Sequence, residues 1–260
     1  MRTFLICHEE EALNREVLPR WLASFSDLGG ILVLRETRKQ KRRRIQREFA
    51  RIGLLRFMDV VAFRLHYKFF QSATDRVWRE KRLEELCQRF PGFPLDTPVL
   101  ISASANSTQA RDFIRSADPD LMIARCKVIL KEEIFTIPRI GTFVMHPGIC
   151  PEYRNAHGCF WALANRDLAR VGMTLLKIDR GVDTGPIFGH FHCAYDEQHE
   201  SHIVIQERMV FDNLDILRQR LEAVIEGQAV PVDVRGRTSA AWGQPWLTKY
   251  LAWKRVANRS

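Results

Sequence analysis

The sequence predicts an α/β fold built on a mostly parallel, Rossmann-like sheet with a helical C-terminal extension. Three observations predict it. Short apolar runs suited to buried strands alternate with stretches of helical spacing. A strand, a helix and a second strand fill residues 3–34, the start of a right-handed crossover. Late in the chain, two loops rich in Pro and Gly leave apolar strand ends, one at His146-Pro147-Gly148 and one at residues 181–186.

The bulk properties agree. A chain of 260 residues is long enough to bury one large core. Apolar residues make up 46% and charged residues 27%, the balance of a globular chain. The longest apolar stretches, such as 54–63, are broken by charges (Arg56 and Asp59), so no membrane span is expected. The first apolar run, Phe4 to Cys7, is too short for a signal-peptide core, and the expected location is the cytoplasm. Six scattered cysteines with no Cys-x-x-Cys pair read as reduced thiols, against both a disulfide framework and a zinc ribbon.

The net charge of +9 is concentrated. Residues 35–56 carry ten Lys/Arg against two Glu, a net +8, so an anionic partner is expected at Arg35–Arg56.

In chain order, Thr3 to Cys7 reads as a strand, and 12–25 as a helix with Leu13, Val17, Leu18, Trp21 and Leu22 inward. Gly29-Gly30 is expected to end that unit before a second strand, Ile31 to Leu34. A basic amphipathic helix, or two, follows to about Arg89. Ile45, Phe49 and Ile52, then Leu54, Met58, Val61 and Leu65, recur at helical spacing and are expected to form a core stripe under a solvated face. The alternative for this segment is a site for phosphate, nucleic acid or a membrane surface. After the loop at 91–94, Pro98 to Ser102 is a third strand, and Asn106-Ser107 N-caps a helix to about Ser116. Asp120 to Ala124 is a fourth strand, 131–135 a helical turn, and 141–145 the strand that presents His146. A helix at 156–165, strands at 172–178 and 187–193, and one long helix at 202–226 complete the domain. The aromatic, basic tail at 242–253 is expected to pack back on it. No repeat or strong linker divides the chain. The expected organisation is an α/β catalytic domain over 1–200, with the basic helical insert at about 35–90, and a C-terminal helix and tail over 201–260 on the same domain.

The chemistry is expected at the two stiff loops. His146 leaves an apolar strand and meets Pro147 and Gly148 at once, so the imidazole sits on a backbone with little freedom. Asp183 follows 37 residues later in a second such turn. A histidine near neutral pKa and a carboxylate, both at strand ends, make an acid/base pair. His190 and His192 share a strand face but lack a third ligand of convincing spacing, so no metal is expected. Cys150 and Cys159 are read as small core thiols.

Four motifs carry a resemblance. They are Asp118-Pro119-Asp120-Leu121 leading to Lys127-Val128-Ile129-Leu130, Ile137-Pro138-Arg139-Ile140-Gly141, His146 to Arg154 (His-Pro-x-x-x-Pro-x-Tyr-Arg), and Asp179 to Gly185 (Asp-x-Gly-x-Asp-Thr-Gly). In this order, over residues 99–187, they resemble the formyltransferases that use 10-formyltetrahydrofolate. These include methionyl-tRNA formyltransferase, glycinamide ribonucleotide transformylase and the sugar N-formyltransferases. The resemblance implies a formyltransferase-type sheet, with His146 as proton shuttle and Asp183 as the carboxylate that orients it. It places folate against Cys126, Lys127, Val128, Ile129 and Leu130 on one loop and Asp179, Gly181 and Val182 on the other. It places the acceptor near Tyr153, Arg154 and Asn155. Lys127 is offered there as a partner for the cofactor's glutamate tail.

The sequence departs from the family at one point. The family's catalytic asparagine, two positions before the histidine, is here Val144, which has no hydrogen-bond donor. Asn155, His157 or a backbone amide is expected to replace it, or the reaction differs, or the site binds without turnover. The expected function is transfer of a formyl group to the amine of a small, anionic acceptor, such as an amino sugar on a nucleotide carrier. A formyl-donor hydrolase, a catalytically weak folate- or nucleotide-binding homologue, and a nucleic-acid-binding module acting through 35–56 remain as alternatives.

Overall fold

The computed structural model describes residues 1–259. β1 (Arg2–His8) is buried from Thr3 onward. A π-helical stretch, Leu13–Val17, leads into α1 (Leu18–Ala23), which buries Leu18, Trp21 and Leu22 against the sheet. β2 (Asp27–Leu34) pairs in parallel with β1.

Gly29 and Gly30 lie inside β2, not before it as expected. They are needed there for space. A Cβ on Gly30 would stand 2.6 Å from the ring of Phe4, and one on Gly29 2.6 Å from Nε of Arg2. The register between β1 and β2 also slips between Thr3 and Phe4 at this point.

The basic insert forms α2 (Arg38–Phe70) and α3 (Ser72–Arg89). Thr37 starts α2 with a capping box: its hydroxyl accepts from the amide of Gln40 at 3.3 Å, and the Gln40 side chain accepts from the Thr37 amide at 2.7 Å. Gly53, at φ 75° and ψ 172°, breaks the helix in two. The expected core stripe is not the one the fold uses. Ile45, Phe49, Leu54, Met58 and Leu65 are exposed, whereas Val60 and Phe63 are buried. α3 is fastened to the domain by bidentate contact of Arg79 with Glu207 (2.8 and 2.9 Å) and by Ser201 donating to Asp75 at 2.6 Å.

The middle of the chain follows expectation. β3 (Val99–Ser102), α4 (Thr108–Ala117), β4 (Leu121–Arg125), α5 (Glu132–Phe135) and β5 (Gly141–His146) come in order. Ser107 caps α4 by accepting from the amide of Ala110 at 3.2 Å. Then come β6 (Arg154–Asn155), α6 (Gly158–Ala164), β7 (Met173–Lys177) and β8 (Ile187–Phe191). The single helix expected at 202–226 is two, α7 (His202–Phe211) and α8 (Leu214–Ile225). Asn213 leaves helical geometry at φ −102° and ψ 10°, and its side chain donates to the carbonyl of Met209 at 2.9 Å. β9 (Ala241–Trp242) and α9 (Leu247–Ala257) end the described chain.

Seven strands form one sheet in the order β3-β2-β1-β4-β5-β7-β8. The pairs from β3 through β5 are parallel; β7 and β8 are antiparallel. Both faces are covered, which explains why the central strands read as unbroken apolar runs. On β1, Leu5 and Cys7 enter the core with Trp21, Phe143, Phe160 and Trp253, while Phe4 and Ile6 pack with Leu32, Met122 and Ile134 on the other face. α9 packs on α2 and α6, and Trp253 is buried in the main core. The strand order reverses between β1 and β4, so the carboxyl ends of β1, β4 and β5 open on one crevice.

Candidate active site

His146 is the last residue of β5, and its ring is buried. Its Nε2 lies 2.7 Å from the carbonyl oxygen of Tyr153. A carbonyl only accepts, so Nε2 carries hydrogen and Nδ1 is the nitrogen free to exchange a proton. Nδ1 stands 3.5 Å from Oδ2 of Asp183. The two loops thus meet as an imidazole and a carboxylate, with the side chain of Asp183 nearly covered.

Close packing holds the histidine. A Cβ on Gly148 would come within 2.6 Å of the Tyr153 carbonyl and 2.8 Å of His146 Nε2, so only glycine lets the loop fold back over the ring. Thr174, opposite His146 on β7, donates to the carbonyl of Gly148 at 2.7 Å and accepts from the amide of Cys150 at 2.9 Å.

Three non-glycine residues here have left-handed backbones: Asn155 at φ 75°, His157 at φ 55° and Asp183 at φ 51°. Such geometry persists where surrounding contacts over-determine it, and it gathers at functional sites. Those contacts are present. Asp183 Oδ2 accepts from the Asn155 amide at 2.8 Å, and Arg154 donates to the carbonyl of Val182 at 2.8 Å. The Asn155 side chain donates to the carbonyl of Trp242 at 2.5 Å, alongside the β6–β9 pairing.

The two loops expected to bind folate follow β4 and β7. On the first, Val128 and Ile129 are exposed, and Val182 is exposed on the second. Cys126 donates to the carbonyl of Val128, and Asn106 to that of Ile129 at 2.9 Å, which fixes the loop. Leu130 is buried in the core beneath it. Asp179 accepts from the Gly181 amide at 2.9 Å and from Thr184 at 2.7 Å, so its carboxylate shapes the turn. Lys127 is not a free cation: its amine pairs with Glu11 at 2.6 Å. Of the acceptor-side residues, Tyr153 meets His146 through its carbonyl, while its ring is buried, stacks on Trp242 and donates to Asp167 at 3.0 Å.

Neighbouring side chains make contacts that had no signal in the sequence. His8, at the end of β1, accepts from the Lys127 amide at 3.0 Å and so holds the start of the loop after β4. Burial lowers its pKa. Arg125 reaches under the site to the carbonyl of Met145 at 2.5 Å, and burial lowers its pKa as well. Burial, with Lys127 and Arg64 nearby, takes His157 down to about 4, so it is neutral near pH 7. Its Nδ1 is buried without a hydrogen-bond partner. The alternating apolar and Pro/Gly signals cannot reveal such contacts, because each joins elements far apart in the chain.

Val144, half-buried, packs against the apolar side chains of Cys150, Leu176 and Ile187. The Cys150 thiol is pushed well up by burial and by Asp183, which keeps it protonated and unreactive. Burial pushes Cys159 up to about 12. His190 and His192 each contact a backbone carbonyl, of Cys150 at 2.8 Å and of Val171 at 2.9 Å. Among the described residues no group of three or more His, Cys, Asp or Glu is placed to hold a metal ion. No helix among them is long and apolar enough to cross a membrane.

A buried histidine at the end of a parallel-sheet strand, with an aspartate at 3.5 Å on a neighbouring loop, is the candidate site. The sequence profile of the formyl transferase family matches residues 75–221. The chain belongs to that family. A methionyl-tRNA formyltransferase of Thermotoga maritima is 30% identical over 133 residues, 51% of this chain and 42% of that protein. One from Clostridioides difficile is 28% identical over 155 residues, 59% of this chain and 49% of the relative. The chain thus spans about half the length of the curated relatives it matches. Among solved structures, a sugar N-formyltransferase from a Shewanella species has a TM-score of 0.54 at 13% identity, covering 93% of this chain and 77% of that one. A phosphoribosylglycinamide formyltransferase from Anaplasma phagocytophilum has a TM-score of 0.55 at 12% identity, covering 94% and 99%. At such identities the likeness is one of fold.

Proposed function

We propose that this protein transfers a formyl group from 10-formyltetrahydrofolate to the amine of a small, anionic acceptor. The observation that carries the reading is His146 Nδ1 at 3.5 Å from Asp183 Oδ2, at the carboxyl end of β5. The folate supplies the formyl group. The acceptor nitrogen bonds to the formyl carbon as the bond from that carbon to the folate nitrogen breaks. His146 takes the amine's proton at Nδ1 and returns it to the departing nitrogen. While the ring is charged, Asp183 stabilises it, and the Tyr153 carbonyl holds its orientation through Nε2.

The oxyanion that forms on the way needs a donor, and Val144 provides none. Of the substitutes expected from the sequence, Asn155 has its side chain committed to Trp242 and its amide to Asp183. His157, neutral and with Nδ1 unpartnered, or a backbone amide would then supply that donor. The acceptor's negative charge would be met by the basic insert. Arg51 lies against Gly243, where a Cβ would be 2.4 Å from its guanidinium, and Arg64 contacts Gln244 at 3.3 Å. These residues adjoin Trp242, which is itself bonded to Asn155.

The test is release of tetrahydrofolate under single-turnover conditions, with and without a panel of phosphorylated amines and nucleotide-linked amino sugars. Release that depends on an amine supports transfer. Equal release without any amine replaces this reading with hydrolysis of the donor.

A further inference from the structure

The second half of α2 carries apolar side chains on two faces. Val60 and Phe63 are buried against the protein, where Asp59 also accepts from the amide of Thr248 at 3.1 Å, Arg64 contacts Gln244, and Arg56 lies over the ring of Trp246 at 5.2 Å. A second set of apolar side chains faces outward. Leu54 is 61% exposed, Leu55 87%, Met58 54%, Leu65 50% and Phe69 72%. At about 100° per residue, Leu54, Met58, Val61, Leu65 and Phe69 form a single stripe. Phe70 and Val77, both exposed, extend it toward α3. A stripe of this size on the surface marks an interaction site.

What flanks it decides the partner. The stripe carries no acidic residue, and Lys68 lies at its edge. The same helix, before Gly53, holds most of the net +8 of residues 35–56. An apolar stripe joined to a polybasic segment is the composition of a helical element lying in the interface of an anionic bilayer. Apolar side chains enter the acyl boundary, while lysine and arginine meet the headgroups.

We infer that α2 docks this protein on an anionic membrane surface, with Leu54, Leu55, Met58, Leu65 and Phe69 inserted and residues 38–47 on the headgroups. The inference does not rest on the formyl-transfer reading. The test is sedimentation of the full chain with vesicles of phosphatidylcholine alone and of phosphatidylcholine mixed with phosphatidylglycerol. Binding to the anionic vesicles alone, weakened by salt, is expected. Leu55→Ser with Phe69→Ser should weaken it at least about tenfold, since each buried methylene contributes about 0.8 kcal/mol. Both positions are exposed, so the variant should keep the wild-type circular dichroism. Two results overturn the inference. One is failure to bind anionic vesicles. The other is a variant that binds them as wild type does while sedimentation velocity shows a wild-type dimer becoming a monomer, which assigns the stripe to a second copy.

Discussion

Oδ2 of Asp183 serves two partners at once: the Nδ1 of His146 at 3.5 Å and the backbone amide of Asn155 at 2.8 Å. One carboxylate therefore faces Nδ1, where it stabilises the ring when charged, and pins the left-handed turn that follows Arg154. Asp183 itself sits at φ 51°, a conformation that aspartate and asparagine tolerate better than most residues.

Asp183→Asn should then preserve the fold, because an amide oxygen still accepts from Asn155 and asparagine still accepts the backbone. It removes the negative charge opposite Nδ1. Formyl transfer should fall by about a hundred- to ten-thousandfold with little change in thermal midpoint. Steady-state kinetics with parallel calorimetry measures both, and a variant of near wild-type rate removes Asp183 from the mechanism.

Val144→Asn sets an amide against the apolar side chains of Cys150, Leu176 and Ile187. Burying it there should destabilise the protein by about 1–3 kcal/mol without raising the rate. Urea denaturation and kcat together check this. A large gain in kcat would show that the missing asparagine had left the site catalytically weak.

Much of this was legible in advance, for identifiable reasons. His146 and Asp183 stand beside Pro and Gly at apolar strand ends, and those signals are local. The Trp242 carbonyl on Asn155 is not local: it spans 87 residues, and no pattern marks it. The helix α2 was legible as a helix and misread as to its facing. Periodicity finds an apolar stripe at Leu54, Met58 and Leu65, but it cannot tell that Val60 and Phe63 are the residues turned inward. Gly29 and Gly30 were misread because a glycine pair marks a turn as readily as a close approach between strands.

The C-terminal segment should unfold with the sheet. Trp253 is 1% exposed and packs edge-on to Phe160 and Tyr250. Trp253→Ala should cost about 3–5 kcal/mol and shift a single cooperative transition. Two separated transitions would make residues 201–260 an independent unit.

Stability should fall on mild acidification. His157 at about 4 and the buried His202, also held below its ordinary value by burial, are neutral in the folded protein. Between pH 6.5 and 4 the unfolded chain binds protons at these residues that the folded chain does not, so stability rises with pH through that window. His202→Phe, placed among Phe63 and Phe160, should flatten the slope. An unchanged slope in chemical denaturation from pH 4 to 7 would assign the acid sensitivity to other groups.

The most direct test of the central claim is calorimetric binding of a stable 10-formyl folate analogue to the wild type and to His146→Ala. The account predicts binding at about micromolar concentration by both proteins, with formyl transfer lost only in the variant. No binding at millimolar ligand would contradict it, and the crevice beside His146 and Asp183 would then need a different occupant.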